Sequence, residues 1–292
     1  MNILLTGSSG FLGSHLLERL LVLKHSVSCL KRHKSDLWRV KNLIDKASWY
    51  DVETTEFKDL LVENNIDCII HCATDYGRKE IDPLQTIEAN LVLPLKLLQA
   101  CNGTNVSSFI NTDTILDKRI SNYSLSKSQF VDWLKFYSED YVVINFALEH
   151  FYGPKDDITK FASFIINELI DNEKKAIDLT EGLQQRDFIY IEDVIDAFEI
   201  LIKELVNINN SFNHFEVGTN QLVSIKDFVI KVKELCQNKN TKLNFGSLPY
   251  RKNETMLTNA DTQFLRSLGW SPKFSLEEGL MLTIKQERKF RE

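Results

Sequence analysis

Apolar and polar positions follow two alternating registers along the first half of the chain. Met1-Asn2-Ile3-Leu4-Leu5 is a short apolar run, the pattern of a buried strand. After Thr6 to Gly13, apolar residues return at Leu16, Leu17, Leu20 and Leu21, which is helical spacing. Strand-like segments follow at residues 26–30, 67–72, 107–111 and 141–146. Helical stretches lie between them, notably 84–101 and 123–136, and Pro94 predicts a kink in the first of these. Strands alternating with helices predict an α/β chain with a doubly wound parallel sheet. Gly153-Pro154 breaks the pattern. A helix over 160–170, a second run over 186–202 and a strand around Phe215 to Val217 come after it, and the C-terminal part reads as less regular. The expected organisation is one domain over 1–150, with segments near 186–218 returning to it. A smaller, partly interleaved C-terminal lobe is expected over 151–292.

Composition narrows the class. Of 292 residues, 43% are hydrophobic and 26% charged, as in an ordinary soluble enzyme. The 35 Lys and Arg against 41 Asp and Glu leave a net charge of −6, so no broad basic field invites nucleic acid. No apolar stretch approaches the length of a membrane span. The opening strand carries no basic leader, so a cytoplasmic location is expected. Five scattered cysteines, Cys29, Cys68, Cys72, Cys101 and Cys236, read as reduced thiols. Cys68, His71 and Cys72 invite a metal reading, but a strand sends Cys68 and Cys72 to one face and His71 to the other, and no metal is expected.

The order strand, glycine turn, amphipathic helix is where a Rossmann sheet places a dinucleotide pyrophosphate. Gly7 suits the tight turn, Gly10 admits the ligand to the backbone, and Gly13 lets helix and strand pack closely. The helix N-terminus offers free N–H groups to phosphate. Gly7, Ser9, Gly10, Phe11, Leu12 and Gly13 are therefore expected to hold the cofactor. The second strand ends in Lys31-Arg32-His33-Lys34, with no acidic residue before Asp36. An acid there would accept from a free ribose 2′-OH, whereas cations complement a 2′-phosphate. This favours NADP(H), with NAD(H) the alternative. A solvated basic turn would look the same. Asp51 is a candidate for the adenine or a surface turn.

Tyr123-Ser-Leu-Ser-Lys127 puts a phenol and an ammonium at i and i+4 on one helix face. A phenol, with an ordinary pKa near 10, is brought toward neutrality by a neighbouring cation and can then exchange a proton with a carbonyl oxygen. A third hydroxyl is expected at the end of the preceding strand. Thr112 is the first candidate and Thr114 the second, either able to donate to a developing oxyanion.

At these residues the chain resembles the nucleotide-sugar branch of the extended short-chain dehydrogenase/reductase family, along nearly its whole length. Thr6 to Gly13 is similar to the T-G-x-x-G-F-[IL]-G loop, and Asp67 to Ala73 to D-x-[VI]-[IV]-H-x-A. Phe151-Tyr152-Gly153-Pro154, Arg186 to Val194 and Leu268 to Pro272 are similar to later motifs of the branch. The resemblance implies that Cys72, Ala73, Thr74 and Asn90 join the cofactor site, together with Tyr123 and Lys127. It implies a nucleoside-diphosphate sugar as substrate, with Asp75, Tyr76 and Arg78 at the sugar, Thr114 close by, and His150, Arg186 and Arg251 near the diphosphate. Dehydratases of the branch carry Thr-Asp-Glu; Thr112-Asp113-Thr114 lacks the Glu. The segments after Ala73 and after Phe151 look most like reductases of the CDP-abequose and CDP-paratose synthase type. The implied activity is NADPH-dependent reduction of a 4-keto deoxyhexose for polysaccharide synthesis, by a homodimer paired through 84–101 and 123–136. An epimerase that recycles NAD and a non-catalytic nucleotide-binding protein are the other readings.

Overall fold

The structure, a computed structural model, describes residues 1–77, 82–208, 211–251 and 253–291. The chain forms two compact units, residues 1–147 with 198–215, and residues 148–197 with 216–292. Residues 186–197, expected to return to the first unit, belong to the second.

Up to the first crossing, the chain runs β1 (Asn2–Thr6), α1 (Phe11–Val22), β2 (Ser26–Lys31), β3 (Ser48–Asp51), α2 (Phe57–Glu63) and β4 (Cys68–His71). It continues through α3 (Pro83–Ile87), a π-helical segment (Glu88–Val92), α4 (Leu93–Ala100), β5 (Ser108–Thr114), α5 (Asn122–Phe136) and β6 (Val142–Leu148). Then come β7 (His150–Tyr152), α6 (Phe161–Ile170), β8 (Ala176–Asp178), β9 (Gln185–Tyr190), α7 (Ile191–Glu204) and β10 (Phe212–Val217). The chain closes with β11 (Leu222–Ser224), α8 (Ile225–Leu235), β12 (Lys242–Asn244), α9 (Gln263–Ser267) and α10 (Leu276–Lys289).

The central sheet has seven strands in the order β10-β6-β5-β4-β1-β2-β3. The pairs β1–β2, β1–β4, β2–β3 and β4–β5 are parallel. Strand order reverses at β1, which has β2 on one side and β4 on the other. In a doubly wound sheet ligands bind beyond the carboxyl ends of the strands at this switch point. Leu4, Ile69, Phe109 and Val143 of successive strands pack with Leu97 of α4 and Phe130 of α5 in one buried cluster. That packing holds the strand ends in place.

Three features depart from the sequence pattern. The kink expected at Pro94 is a change of helix type just before it. Proline has no N–H to bond the carbonyl four residues back, and the preceding turn widens so that the Leu93 N–H reaches the Glu88 carbonyl. The run over 186–202 begins as strand β9 and turns helical only at Ile191. The C-terminal part is more regular than expected, because α8 and α10 occupy it. The basic residues Lys285, Arg288 and Lys289 lie on α10.

Candidate active site

The glycine loop is built without room for side chains. Gly7 has φ +69°, and a Cβ there would stand 2.6 Å from the Ala73 nitrogen. A Cβ on Gly13 would stand 2.2 Å from the Gly7 carbonyl oxygen. Gly10 is the N-cap of α1; no side chain caps this helix, and its first turn holds no acidic residue. The first-turn N–H groups, including those of Phe11 and Leu12, thus face the loop at a helix end that favours anions. Thr6 ties the loop to β4. Its hydroxyl accepts from the Ala73 N–H at 3.1 Å and is hydrogen-bonded to His71 Nδ1 at 2.8 Å. Burial keeps the His71 imidazole neutral, its pKa well below 6.5. A dinucleotide pyrophosphate fits this cradle, since every close approach is backbone. Ser9, Cys72, Ala73 and Thr74 are half-buried along its edge.

Tyr123 and Lys127 sit on the first turns of α5, whose start is fixed by a capping box between Ser121 and Ser124. Lys127 is buried and donates to the Thr112 carbonyl at the end of β5 at 2.8 Å. Burial lowers its ammonium from 10.5 to about 8, against which Asp113 and Cys72 act. Thr112 is buried too, and its hydroxyl donates to the His71 carbonyl at 2.9 Å. Thr112 therefore serves the site through its carbonyl, which seats Lys127. Two residues further on, the half-buried Thr114 hydroxyl accepts from the Leu116 N–H at 3.3 Å. In this geometry Thr114, the second candidate, retains the hydroxyl proton that a substrate oxygen requires.

Asn90 shapes the loop after β4. It lies in the π-helical segment, fully buried, and all of its polar side-chain atoms are committed. Its Oδ1 accepts from the Asp75 N–H at 2.8 Å, while its Nδ2 donates to the Asp75 carbonyl at 2.8 Å and the Ser126 hydroxyl at 3.0 Å. Asp75 in turn accepts from the Gly77 N–H at 2.6 Å. Tyr76, held between them, lays its ring against Tyr123 with centroids 5.0 Å apart. Asn90 thus acts on the site by holding this loop on α5. Arg78, expected at the sugar, lies outside the described residues. Asn90→Ala strands the Asp75 backbone groups. It is expected to cost about 1–3 kcal/mol, the range for a buried polar group left unpaired, read as a lower urea midpoint. An unchanged midpoint would contradict this role.

At the far edge of the sheet Lys31 ends β2, and its register partner on β3 is Asp51. Arg32 and His33 follow in an exposed turn, with His33 Nδ1 3.3 Å from the Asp51 carboxylate. Basic turn and carboxylate are therefore neighbours, which the sequence, with nineteen residues between Lys31 and Asp51, does not display.

The second unit holds His150, Arg186 and Arg251. Glu149, buried, accepts from His150 Nδ1 at 2.8 Å and from the Thr258 hydroxyl at 3.2 Å. Arg186 is nearly buried and donates to Glu254 at 2.7 Å and to the Gln185 carbonyl at 2.8 Å. Burial lowers its guanidinium pKa, while Glu254 and Glu149 oppose the shift. Arg251 is exposed. The acids beside Arg186 are structural. Asp187, fully buried, accepts from the backbone N–H groups of Thr219 and Asn220. Asp193 accepts from those of Lys273 and Phe274, while its carbonyl receives Trp270 Nε1 at 3.0 Å. Glu254 meets Arg186 only through the fold, across 68 residues of chain, and Glu149, although next to His150 in sequence, shows its buried place only in the fold.

Among the described residues no group of three or more His, Cys, Asp or Glu is placed to hold a metal ion, and no helix is long and apolar enough to cross a membrane. CDP-abequose synthase of Salmonella muenchen is 36% identical over 97% of this chain and 98% of its own length. The CDP-abequose synthase of Salmonella typhimurium is 30% identical, over 97% of each. Among solved structures, UDP-glucose 4-epimerase of Thermotoga maritima with UDP-glucose covers 100% of both chains at TM-score 0.87 and 24% identity. UDP-glucuronic acid 4-epimerase of Bacillus cereus with UDP-glucuronic acid and NAD reaches TM-score 0.85 at 22% identity, over 99% of this chain and 100% of its own. These two share the fold. The model of the NAD dependent epimerase/dehydratase family matches residues 3–218. With that match and a relative 36% identical along nearly its full length, the chain belongs to this family and is an enzyme of the NAD(P)-dependent oxidoreductase type.

Proposed function

We propose that this enzyme reduces the 4-keto group of a nucleoside-diphosphate-linked deoxyhexose with NADPH, the nucleoside being cytidine. The observation that carries the reading is the Tyr123–Lys127 pair, seated by a buried ammonium on the end of β5, in a chain 36% identical to a CDP-abequose synthase. When bound, the reduced nicotinamide supplies a hydride for the carbonyl carbon. Tyr123 gives the proton to the carbonyl oxygen, and Lys127, charged below pH about 8, favours the phenolate left behind. Lys127 also holds the nicotinamide ribose. Thr114 donates to the keto oxygen. Asp75 and Tyr76 contact the sugar. Arg186, His150 and Arg251 bind the diphosphate, Arg186 by exchanging part of its bond with Glu254 for phosphate oxygens. Lys31 and Arg32 take the 2′-phosphate, and Asp51 the adenine. Exposed apolar side chains on α3 and α5 (Leu84, Leu125, Trp133, Phe136) support pairing of two copies. The work is done in the cytoplasm, for a polysaccharide precursor.

The test is NADPH oxidation by the purified enzyme with CDP-, dTDP-, GDP- and UDP-linked 4-keto deoxy sugars. Stoichiometric oxidation with the CDP-linked sugar is expected. Interconversion of C4 epimers with no net oxidation would make the enzyme an epimerase. Replacing Lys31 and Arg32 by Ala together is expected to reduce the preference for NADPH over NADH by roughly tenfold or more. Each charge-assisted bond to phosphate is worth about 1.5–3 kcal/mol. An unchanged preference would leave the 2′-phosphate assignment without support.

A further inference from the structure

Strand β6 reads Val-Val-Ile-Asn-Phe-Ala-Leu, and every one of its residues is buried. Asn145 at its centre is fully buried in this apolar run. An amide there costs several kcal/mol unless its groups find partners, at roughly 2–7 kcal/mol per unpaired group. Here they do. Oδ1 accepts from Asn111 Nδ2 at 2.8 Å, and Nδ2 donates to the Asp113 carboxylate at 2.8 Å and meets His214 Nδ1 at 3.0 Å. A carboxylate only accepts, so the amide nitrogen must face Asp113. It follows that His214 Nδ1 is the acceptor of the other proton and that the imidazole carries its hydrogen on Nε2.

Asn111 and Asp113 are the residues on either side of Thr112. On a strand they share the face opposite the Thr112 side chain. One amide from β6 therefore grips β5 on both sides of the carbonyl that seats Lys127. We propose that Asn145 and Asp113 are positioning residues for the reaction: Asn145 locks residues 111–113 around the Thr112 carbonyl that seats Lys127, and the Asp113 carboxylate so held is the counter-charge next to that seat. The proposal rests on the reading that Lys127 works with Tyr123.

The other groups acting electrostatically on Lys127 support it. From β4 and the residue after it come His71 and Cys72. Burial keeps the imidazole neutral and pushes the thiol up to about 12, so neither is charged near neutral pH. From β5 comes Asp113, the larger of the two influences holding the ammonium up against burial. Asp113 is thus the carboxylate among them, and it is held by Asn145.

The experiment compares Asn145→Leu, Asp113→Asn and the double variant with the wild type, through the pH profile of kcat/KM and the pH dependence of NADPH binding. Asp113→Asn keeps shape and removes charge. It is expected to move the alkaline limb of both profiles down by about one pH unit, the lower end of the shift an adjacent opposite charge produces. Asn145→Leu is expected to reproduce the shift with a lower kcat, and the double variant to add nothing. A wild-type profile in either single variant, or shifts that sum in the double, would overturn the proposal. If Asn145→Leu does not fold, Asp113→Asn decides alone. If the wild type turns over none of the keto sugars, the reductase reading fails, while the NADPH-binding profile still tests the role of these two residues.

Discussion

Tyr123→Phe is expected to fold, to bind NADPH as the wild type does, and to lose turnover by roughly 10²–10⁴-fold, the range a positioned proton donor contributes. The substitution removes one oxygen. The ring that packs against Tyr76 remains, and the capping box that starts α5 does not involve residue 123. Lys127 keeps its bond to the Thr112 carbonyl. What is lost is the only group of the pair with a proton suited to a ketone oxygen, since the Lys127 ammonium is spent on a backbone acceptor and on charge. Single-turnover NADPH oxidation with saturating keto sugar measures the loss, and fluorescence of bound NADPH measures what is kept. Turnover within a few-fold of wild type would remove Tyr123 from the chemistry. The choice between Thr112 and Thr114 can be read in the same assay. The geometry places the loss with Thr114→Val, because Thr112 gives its hydroxyl proton to the His71 carbonyl.

Period and spacing carried the nucleotide-binding half of this enzyme. Strand β1 is apolar at consecutive positions because it is buried on both faces, and α1 follows at helical spacing, so the glycine loop between them could be placed from the sequence. The Tyr123–Lys127 pair was legible for the same reason, as i and i+4 lie on one face of any helix. Strand β3 was not. Ser48-Trp-Tyr-Asp is four residues long and only half-buried at its last three positions, too short for periodicity to register. The Asn145 network was invisible for another reason. Asn111, Asp113, Asn145 and His214 are up to 103 residues apart, and only the pairing of β5 with β6 and β6 with β10 brings them together. A lone Asn inside an apolar strand is the one trace it leaves in the sequence. In the second unit the R-D-F segment combined two kinds of residue that a motif cannot separate. Arg186 is paired with the Glu254 carboxylate and the Gln185 carbonyl, whereas Asp187 holds the backbone of residues 219 and 220.

Gly13→Ala is expected to abolish cofactor binding and to destabilise the first unit, although alanine is the better helix former by about 1 kcal/mol. The added Cβ would meet the Gly7 oxygen at 2.2 Å, the Gly7 carbonyl carbon at 2.7 Å and the Ser8 Cα at 2.9 Å. All three are backbone, and the Gly7 oxygen already accepts from the Gly10 N–H at 2.9 Å. Nothing flexible can yield. Relief requires α1 to move off β1, which withdraws the helix N-terminus from the pyrophosphate cradle, and overpacking of this kind costs about 1–3 kcal/mol or more. Two other glycines separate packing from conformation. Gly10→Ala places its Cβ 3.1 Å from the same oxygen, a contact a small shift relieves. Gly103 has φ +74° with only the Lys58 ammonium within reach, at 3.9 Å. Gly103→Ala should therefore cost about 1–2 kcal/mol of backbone strain and leave NADPH binding intact. Thermal denaturation with and without NADPH distinguishes the three, because a ligand that binds only the folded state raises Tm by an amount that grows with its affinity for that state. The expected order is a normal NADPH-induced rise for Gly103→Ala from a lowered base, a reduced rise for Gly10→Ala, and none for Gly13→Ala. A wild-type rise in Gly13→Ala would mean that the cofactor does not lie on this helix, and the assignment of Gly7, Gly10 and Gly13 to the pyrophosphate would fall with it.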